Sequence, residues 1–119
     1  MENFNLTAAQ VERVICSESL SGCVSEWLRG RGDGESFKDS WQWIVSTYSQ
    51  EELLKAATYA YTMGAAEIES FDDPETDDYK ILITETEGII AVWSERTDWC
   101  GPFDKKQDAV DFVKKQLLK

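Results

Sequence analysis

The side chains best suited to chemistry in this chain are carboxylates, and they are gathered in one place. The stretch IESFDDPETDDYK, Ile68 to Lys80, holds six of them, Glu69, Asp72, Asp73, Glu75, Asp77 and Asp78, against one cation, Lys80. Carboxylates can work as general acid and base in a cleft, ligate hard cations, or offer charge to a cationic surface. A calcium loop needs oxygen ligands at set intervals and a glycine for its sharp turn. DDPETDD has neither. No metal and no cofactor are expected there.

A second spot has the residue types of an active site. Asp98 stands beside Trp99 and Cys100 in the segment RTDWCGPF. An aromatic neighbour can raise a carboxyl pKa by desolvation, so a small carboxylate- or metal-dependent enzyme centred near Asp98 is one alternative. The competing role is structural: Trp99 and Phe103 anchor a loop, and Asp98 caps a turn. The chain has no histidine. Ser–His and Cys–His nucleophile pairs, and most catalytic zinc sites, are therefore out in their usual form. No P-loop is present, and no G-x-G-x-x-G follows a strand. The expectation is a protein without catalytic activity.

The elements that would position these residues follow from periodicity. NLTAAQV reads as a helix start, with Thr7 as N-cap, Gln10 as its capping-box partner and Leu6 stapled onto Val11. Val11, Val14 and Ile15 make one apolar stripe. Ser17, Ser19, Ser21 and Gly22 weaken the helix before Leu20, Val24, Trp27 and Leu28 resume the spacing. RGRGDGE ends it. Ser36 and Asp39 have the spacing of a second helix cap, ahead of Phe37, Trp41, Ile44, Val45 and Tyr48 at helical intervals. Ser49 to Glu52 repeats the capping pattern before Leu53, Leu54, Ala57, Ala60, Tyr61 and Gly64. The period then changes. Tyr79–Thr84 and Ile89–Glu95 read as a hairpin with Glu87-Gly88 in its turn, and GAAEIESF is a candidate third strand. RTDWCGPF is expected to be a loop, with Asp104 capping a last helix that faces Ala109, Val110, Val113 and Leu117 inward.

This order predicts a segregated α+β fold over a single domain, 1–119. Three or four helices come first, then a two- or three-stranded antiparallel sheet with its hairpin at about 79–95, then a C-terminal helix. Three cysteines, Cys16, Cys23 and Cys100, form no C-x-x-C and are an odd number, so reduced thiols are expected. No segment approaches the ~20 apolar residues of a membrane span. The N-terminus lacks a basic head and an apolar signal core, which makes the cytoplasm the expected location.

The net charge of −11 is local. From Glu67 to Glu87 there are nine acidic residues and one lysine, a balance of −8. Nucleic acid, anionic membranes and acidic substrates are thereby disfavoured as direct ligands. An extended seven-residue segment reaches at most about 25 Å. Asp72 to Asp78 sets five carboxylates within it, one per ~5 Å, against one phosphate per ~3.4 Å along a nucleic-acid strand. A groove built for phosphate could accept such a segment. Glu67, Glu69, Glu85 and Glu87 could widen the patch. Trp41 and Trp43 cannot share a helix face; Trp41 fits the core stripe, so Trp43 points elsewhere and, like Trp99, is a candidate apolar anchor.

In size and acidity the chain resembles small inhibitory proteins of microbes and their phages: toxin-neutralising immunity proteins, nucleic-acid mimics and phage inhibitors of host defence nucleases. That resemblance implies a binding protein that covers a basic, nucleic-acid-binding surface of another protein, a nuclease among the candidates. Asp72, Asp73, Glu75, Asp77 and Asp78 would make the electrostatic contact. The other alternative is an adaptor or assembly subunit that docks through the Trp43 face.

Overall fold

The computed structural model describes residues 4–30, 40–76 and 79–118. Among these, four helices come first: α1 (Ala8–Ile15), α2 (Ser21–Arg29), α3 (Trp41–Thr47) and α4 (Gln50–Gly64). Strands β1 (Ala66–Asp72), β2 (Lys80–Thr86), β3 (Ile89–Ser94) and β4 (Asp98–Phe103) follow, and then α5 (Lys106–Phe112), which runs on as a π-helical turn, Val113–Leu117. The fold is the segregated α+β arrangement read from the sequence, with four antiparallel strands instead of two or three. The chain divides into two compact units, a helical one (Leu6–Gly64) and a sheet one (Met1–Asn5 with Ala65–Lys119).

In the helical unit, α1 starts at the capping box that its sequence specifies. Thr7 Oγ1 accepts from the Gln10 backbone N–H at 3.2 Å, and Gln10 Oε1 accepts from that of Thr7 at 2.9 Å. Thr7→Ala is expected to cost about 1 kcal/mol, read as a shift in the urea midpoint with m unchanged. The serines then break the helix. Ser17 Oγ takes the backbone N–H of Leu20 at 3.2 Å, and Ser21 Oγ donates to the carbonyl of Glu18 at 2.9 Å. These local bonds compete with helical ones. Gly30 ends α2 in the left-handed region, at φ 74°. Ser49 caps α4 through the backbone N–H of Glu52 at 3.1 Å, and α4 buries Leu53, Ala56, Ala57, Ala60 and Tyr61. The Ser36–Asp39 cap and Phe37 lie outside the described residues. The stripe read through α3 is not buried as expected: Ile44 is buried, Trp41 and Tyr48 are half-buried, and Val45 is exposed.

In the sheet unit the strands run as a meander in the order β1-β2-β3-β4. β3 reads as apolar on both faces and is buried on both, from Ile89 to Val92. The turn between β2 and β3 is the two-residue Glu87-Gly88, closed by the Thr86–Ile89 pair, with φ 54° and 73°. Positive φ at both positions is the twist-matched I′ geometry. One face of the sheet packs Ile81, Ile83, Ile90, Val92 and Cys100 against Ala109, Val113 and Leu117 of the C-terminal helix. That helix begins at Lys106 without the side-chain cap expected from Asp104.

The segment expected to be a loop is largely β4. Trp99 pairs with Trp93, Cys100 with Val92 and Phe103 with Ile90. Gly101 and Pro102, joined by a cis peptide bond, are absorbed where the register shifts between Ile90 and Val92. A bulge is one of the few sheet positions that tolerates proline. The outer side of β4 is met by the N-terminal segment: Phe4 bridges Gly101 in parallel, and Asn5 N–H donates to the Gly101 carbonyl at 3.2 Å.

Candidate functional site

The acidic stretch forms the β1–β2 hairpin, and local geometry sorts its carboxylates into different roles. A strand repeats every two residues, so Glu67 and Glu69 should share a face. They do not. The register shifts between them, with Glu67 opposite Thr84 and Glu69 opposite Ile83. A bulge at Ile68 therefore sends them to opposite faces. Glu69 turns to the face covered by α5, where Lys106 Nζ lies 3.6 Å from its Oε2. Glu67 shares the other face with Ser70 and Asp72. Glu85, opposite Ala66, lies on the Ile83 face near the far end of β2. Glu87 is half-buried in the turn. The window is one charge cluster in sequence and several separate positions in space.

Asp72 and Asp73 differ most. The Asp72 side chain is 91% exposed and accepts from Lys80 Nζ at 3.0 Å across the hairpin. The Asp73 side chain is 1% exposed. Arg96 Nε reaches both of its oxygens, at 3.1 and 3.0 Å, and Nη2 lies 3.0 Å from Oδ1. Asp73 Oδ1 also accepts from the backbone N–H of Glu75 at 2.9 Å. The Arg96 guanidinium holds the Asp73 carboxyl below the usual carboxylate range, against the opposing effect of burial. Asp73, read from the sequence as a surface contact, is thus a structural anchor. Arg96 also donates from Nη2 to the Leu117 carbonyl at 2.7 Å, and Nη1 lies 3.6 Å from Glu75 Oε2. One guanidinium ties the acidic loop to the end of the C-terminal helix.

Arg96 is held by its own turn. Ser94 and Asp98 close a three-residue loop, Glu95 to Thr97. Ser94 Oγ lies 2.6 Å from Thr97 Oγ1 and accepts the Thr97 backbone N–H at 3.1 Å. Asp98 adopts φ 55° and is exposed. A left-handed residue after a three-residue hairpin loop is a standard hairpin ending. Asp98 therefore serves the turn, in an exposed setting unlike the desolvated one that general acid chemistry wants. Trp99 is half-buried, its ring centroid 6.1 Å from that of Phe4. Trp43 is 50% exposed, with the Tyr48 ring edge-on at 6.1 Å.

Of the acids named from the sequence, Glu67, Asp72, Glu75 and Glu85 are exposed, and Asp77 and Asp78 lie outside the described residues. The sequence missed Arg96 as the hub and Tyr79 as an exposed ring within the hairpin. Tyr79 is held by its backbone, which donates to the Thr76 carbonyl at 3.3 Å and accepts from Asp73 N–H at 3.3 Å. Among the described residues, no three Cys, Asp or Glu side chains group to hold a metal ion, and no helix is long and apolar enough to cross a membrane. Glu87 carries a left-handed backbone for the turn. Glu87→Asn is expected to stabilise the hairpin by roughly 0.5–1 kcal/mol, measured by thermal unfolding.

The site and fold define an acidic α+β chain with a braced, charged hairpin. Comparison with family models, curated proteins and solved structures finds no match.

Proposed function

We propose that this chain is a small, non-catalytic binding protein that covers a basic, nucleic-acid-binding surface of another protein. The observation that carries this reading is the Asp73–Arg96 tie. It braces a loop whose neighbouring carboxylates, Asp72 and Glu75, stay exposed. Asp72 and Glu75, set on backbone that the tie already orders in the free protein, lose little further entropy when they dock. The charge also fits. The sheet unit carries fifteen acids and seven bases, the helical unit eight and five. Clustered charge of one sign steers an oppositely charged partner and makes association sensitive to salt. Tyr79, in place of Trp99, supplies the apolar anchor at the hairpin.

The direct experiment is affinity capture on the immobilised chain, eluted with a salt gradient. Nucleic-acid-binding proteins retained at low salt and released as salt rises are the expected result. Nucleic acid added in excess should compete them off. Partners indifferent to both salt and nucleic acid would overturn the proposal.

A second reading has its own observation. α3 leaves Trp43 50% exposed, with the Tyr48 ring edge-on to it. An adaptor docking through this face would bind in a salt-insensitive way, and Trp43→Ala would abolish binding while changes in the hairpin would not.

A further inference from the structure

The sheet has two edges, and they are finished differently. Beside β4, Phe4 bridges Gly101 and Asn5 bonds to its carbonyl. β1, at the other edge, pairs with β2 alone among the described residues. An edge left in this state is a template for another strand. Register decides which groups β1 offers. Asp73 N–H donates to the Tyr79 carbonyl at 3.3 Å, so Asp73 and Tyr79 are a hydrogen-bonded pair. Bonded and non-bonded pairs alternate along an antiparallel ladder. Phe71–Ile81 is then the next bonded pair, while Asp72–Lys80 and Ser70–Leu82 are non-bonded. The backbone N–H and C=O of Ser70 and Asp72 therefore point away from β2. Among the described residues no hydrogen bond reaches them, and both residues are exposed. Two strand steps, about 6.8 Å, separate them, which is the spacing of alternate residues in an incoming strand. The register shift between Glu67 and Glu69 ends this regular edge, so only a short segment fits.

The side chains along the edge say what kind of segment it is. Asp72 shares one face with Ser70 and Glu67, and Lys80 is the one cation paired with any of them among the described residues. On the opposite face Phe71 is half-buried and packs on the core that holds Ile81 and Ile83. A strand of alternating basic and apolar residues would set the first beside Asp72 and the second beside Phe71. A second copy of β1 fits badly. Antiparallel pairing would bring Glu67, Glu69 and Asp72 of the two chains together, and like charges across a ladder destabilise it.

We propose that the β1 edge, through the backbone of Ser70 and Asp72, takes up a short extended segment of the partner in which basic and apolar residues alternate. Main-chain bonds hold the segment, and Asp72 and Phe71 select its side chains. This rests on the reading of the partner as basic and adds how it is held.

The test follows amide exchange with water in the ¹⁵N-labelled full chain at low salt. The probe is acetyl-Lys-Val-Lys-Val-Lys-Val-amide, and acetyl-Lys-Lys-Lys-Val-Val-Val-amide is a control of equal charge. In the free chain the Ser70 and Asp72 amides should exchange fast, and that of Phe71, bonded across to Ile81, slowly. With the alternating peptide at roughly millimolar concentration the first two should slow by about tenfold or more, and the control should slow them less. Ser70→Pro removes one outward N–H and spares the ladder to β2, a position where an edge strand accepts proline. It should weaken the alternating peptide to the level of the control, with Tm near that of the parent. Ser70 and Asp72 amides already protected in the free chain, no slowing with the alternating peptide, or equal slowing by the control would each overturn the proposal. Binding by charge alone, seen as shifts near Asp72 and Glu75 without slowing, would overturn it too and leave the acidic-surface reading standing. That reading fails separately, when captured partners ignore salt. The exchange comparison uses the parent chain and so survives any folding defect in Ser70→Pro.

Discussion

An Arg96→Ala chain is expected to melt on the order of 10 °C or more below the parent, because it leaves a charge buried alone. The Asp73 carboxylate is shut away from water, and Arg96 supplies its only cation within 4 Å among the described residues. Without the guanidinium, Asp73 keeps the Glu75 N–H and little else. The Leu117 carbonyl loses its donor in the same stroke. Adding Asp73→Asn to Arg96→Ala should recover part of the loss, since a neutral amide is cheaper to bury than an unpaired carboxylate. Arg96→Lys should fall between, because an ammonium cannot reproduce the fork. The pH dependence has a definite sign. Asp73 titrates below its ordinary value of 3.8 in the folded chain. Its contribution is therefore fully present above that pH and is lost as pH falls through the depressed folded value. The parent should lose stability on acidification below about pH 4. In Arg96→Ala, burial without the guanidinium pushes Asp73 upward, so its deficit should shrink on acidification. A variant Tm within a degree or two of the parent at neutral pH would show that the pair does not brace the hairpin.

The second large effect concerns association. Reversing Glu67, Asp72, Asp77 and Asp78 to lysine, with Asp73 and Glu75 left in place, changes the charge by +8 without touching the anchor. The on-rate for a captured basic partner should fall by roughly 10–10³-fold at low salt, with a flattened salt dependence. The melting temperature should move little, since the Asp72–Lys80 pair is solvent-exposed and contributes little to stability. Including Asp73 in that set would confuse two effects, because its loss unfolds the loop it holds. A quadruple variant that binds at the parental rate, as followed by stopped flow, would remove the hairpin from the interface.

The parts of this fold that were legible in the sequence are those fixed by neighbours. Thr7 and Gln10, Ser49 and Glu52, and Glu87-Gly88 each write a cap or a turn within four residues, and each appears as written. What was not legible depends on distant pairing. Gly101 and Pro102 look like strand breakers until β3 accommodates them at a register shift. A bulge at Ile68 leaves no mark on the alternation it disrupts, yet it decides which way Glu67 and Glu69 face. Asp73 and Asp72 are the same residue type side by side. Only Arg96, twenty-three positions away, makes one an anchor and leaves the other at the surface. Trp27 fitted an apolar stripe by spacing, yet beside the Tyr59 ring of α4 it stays 46% exposed.

The bridge from Phe4 to Gly101 also orders events during synthesis. The helical unit ends at Gly64, so all of its residues are made before the strands. The hairpins that follow are local and form as they emerge. Phe4, made before the helical unit, must wait for β4, the last strand of the sheet, and long-range pairings of this kind form late. Until then the outer edge of β4 is an unprotected template for other chains. A fusion partner placed ahead of Phe4 sits beside this late closing step and would slow it.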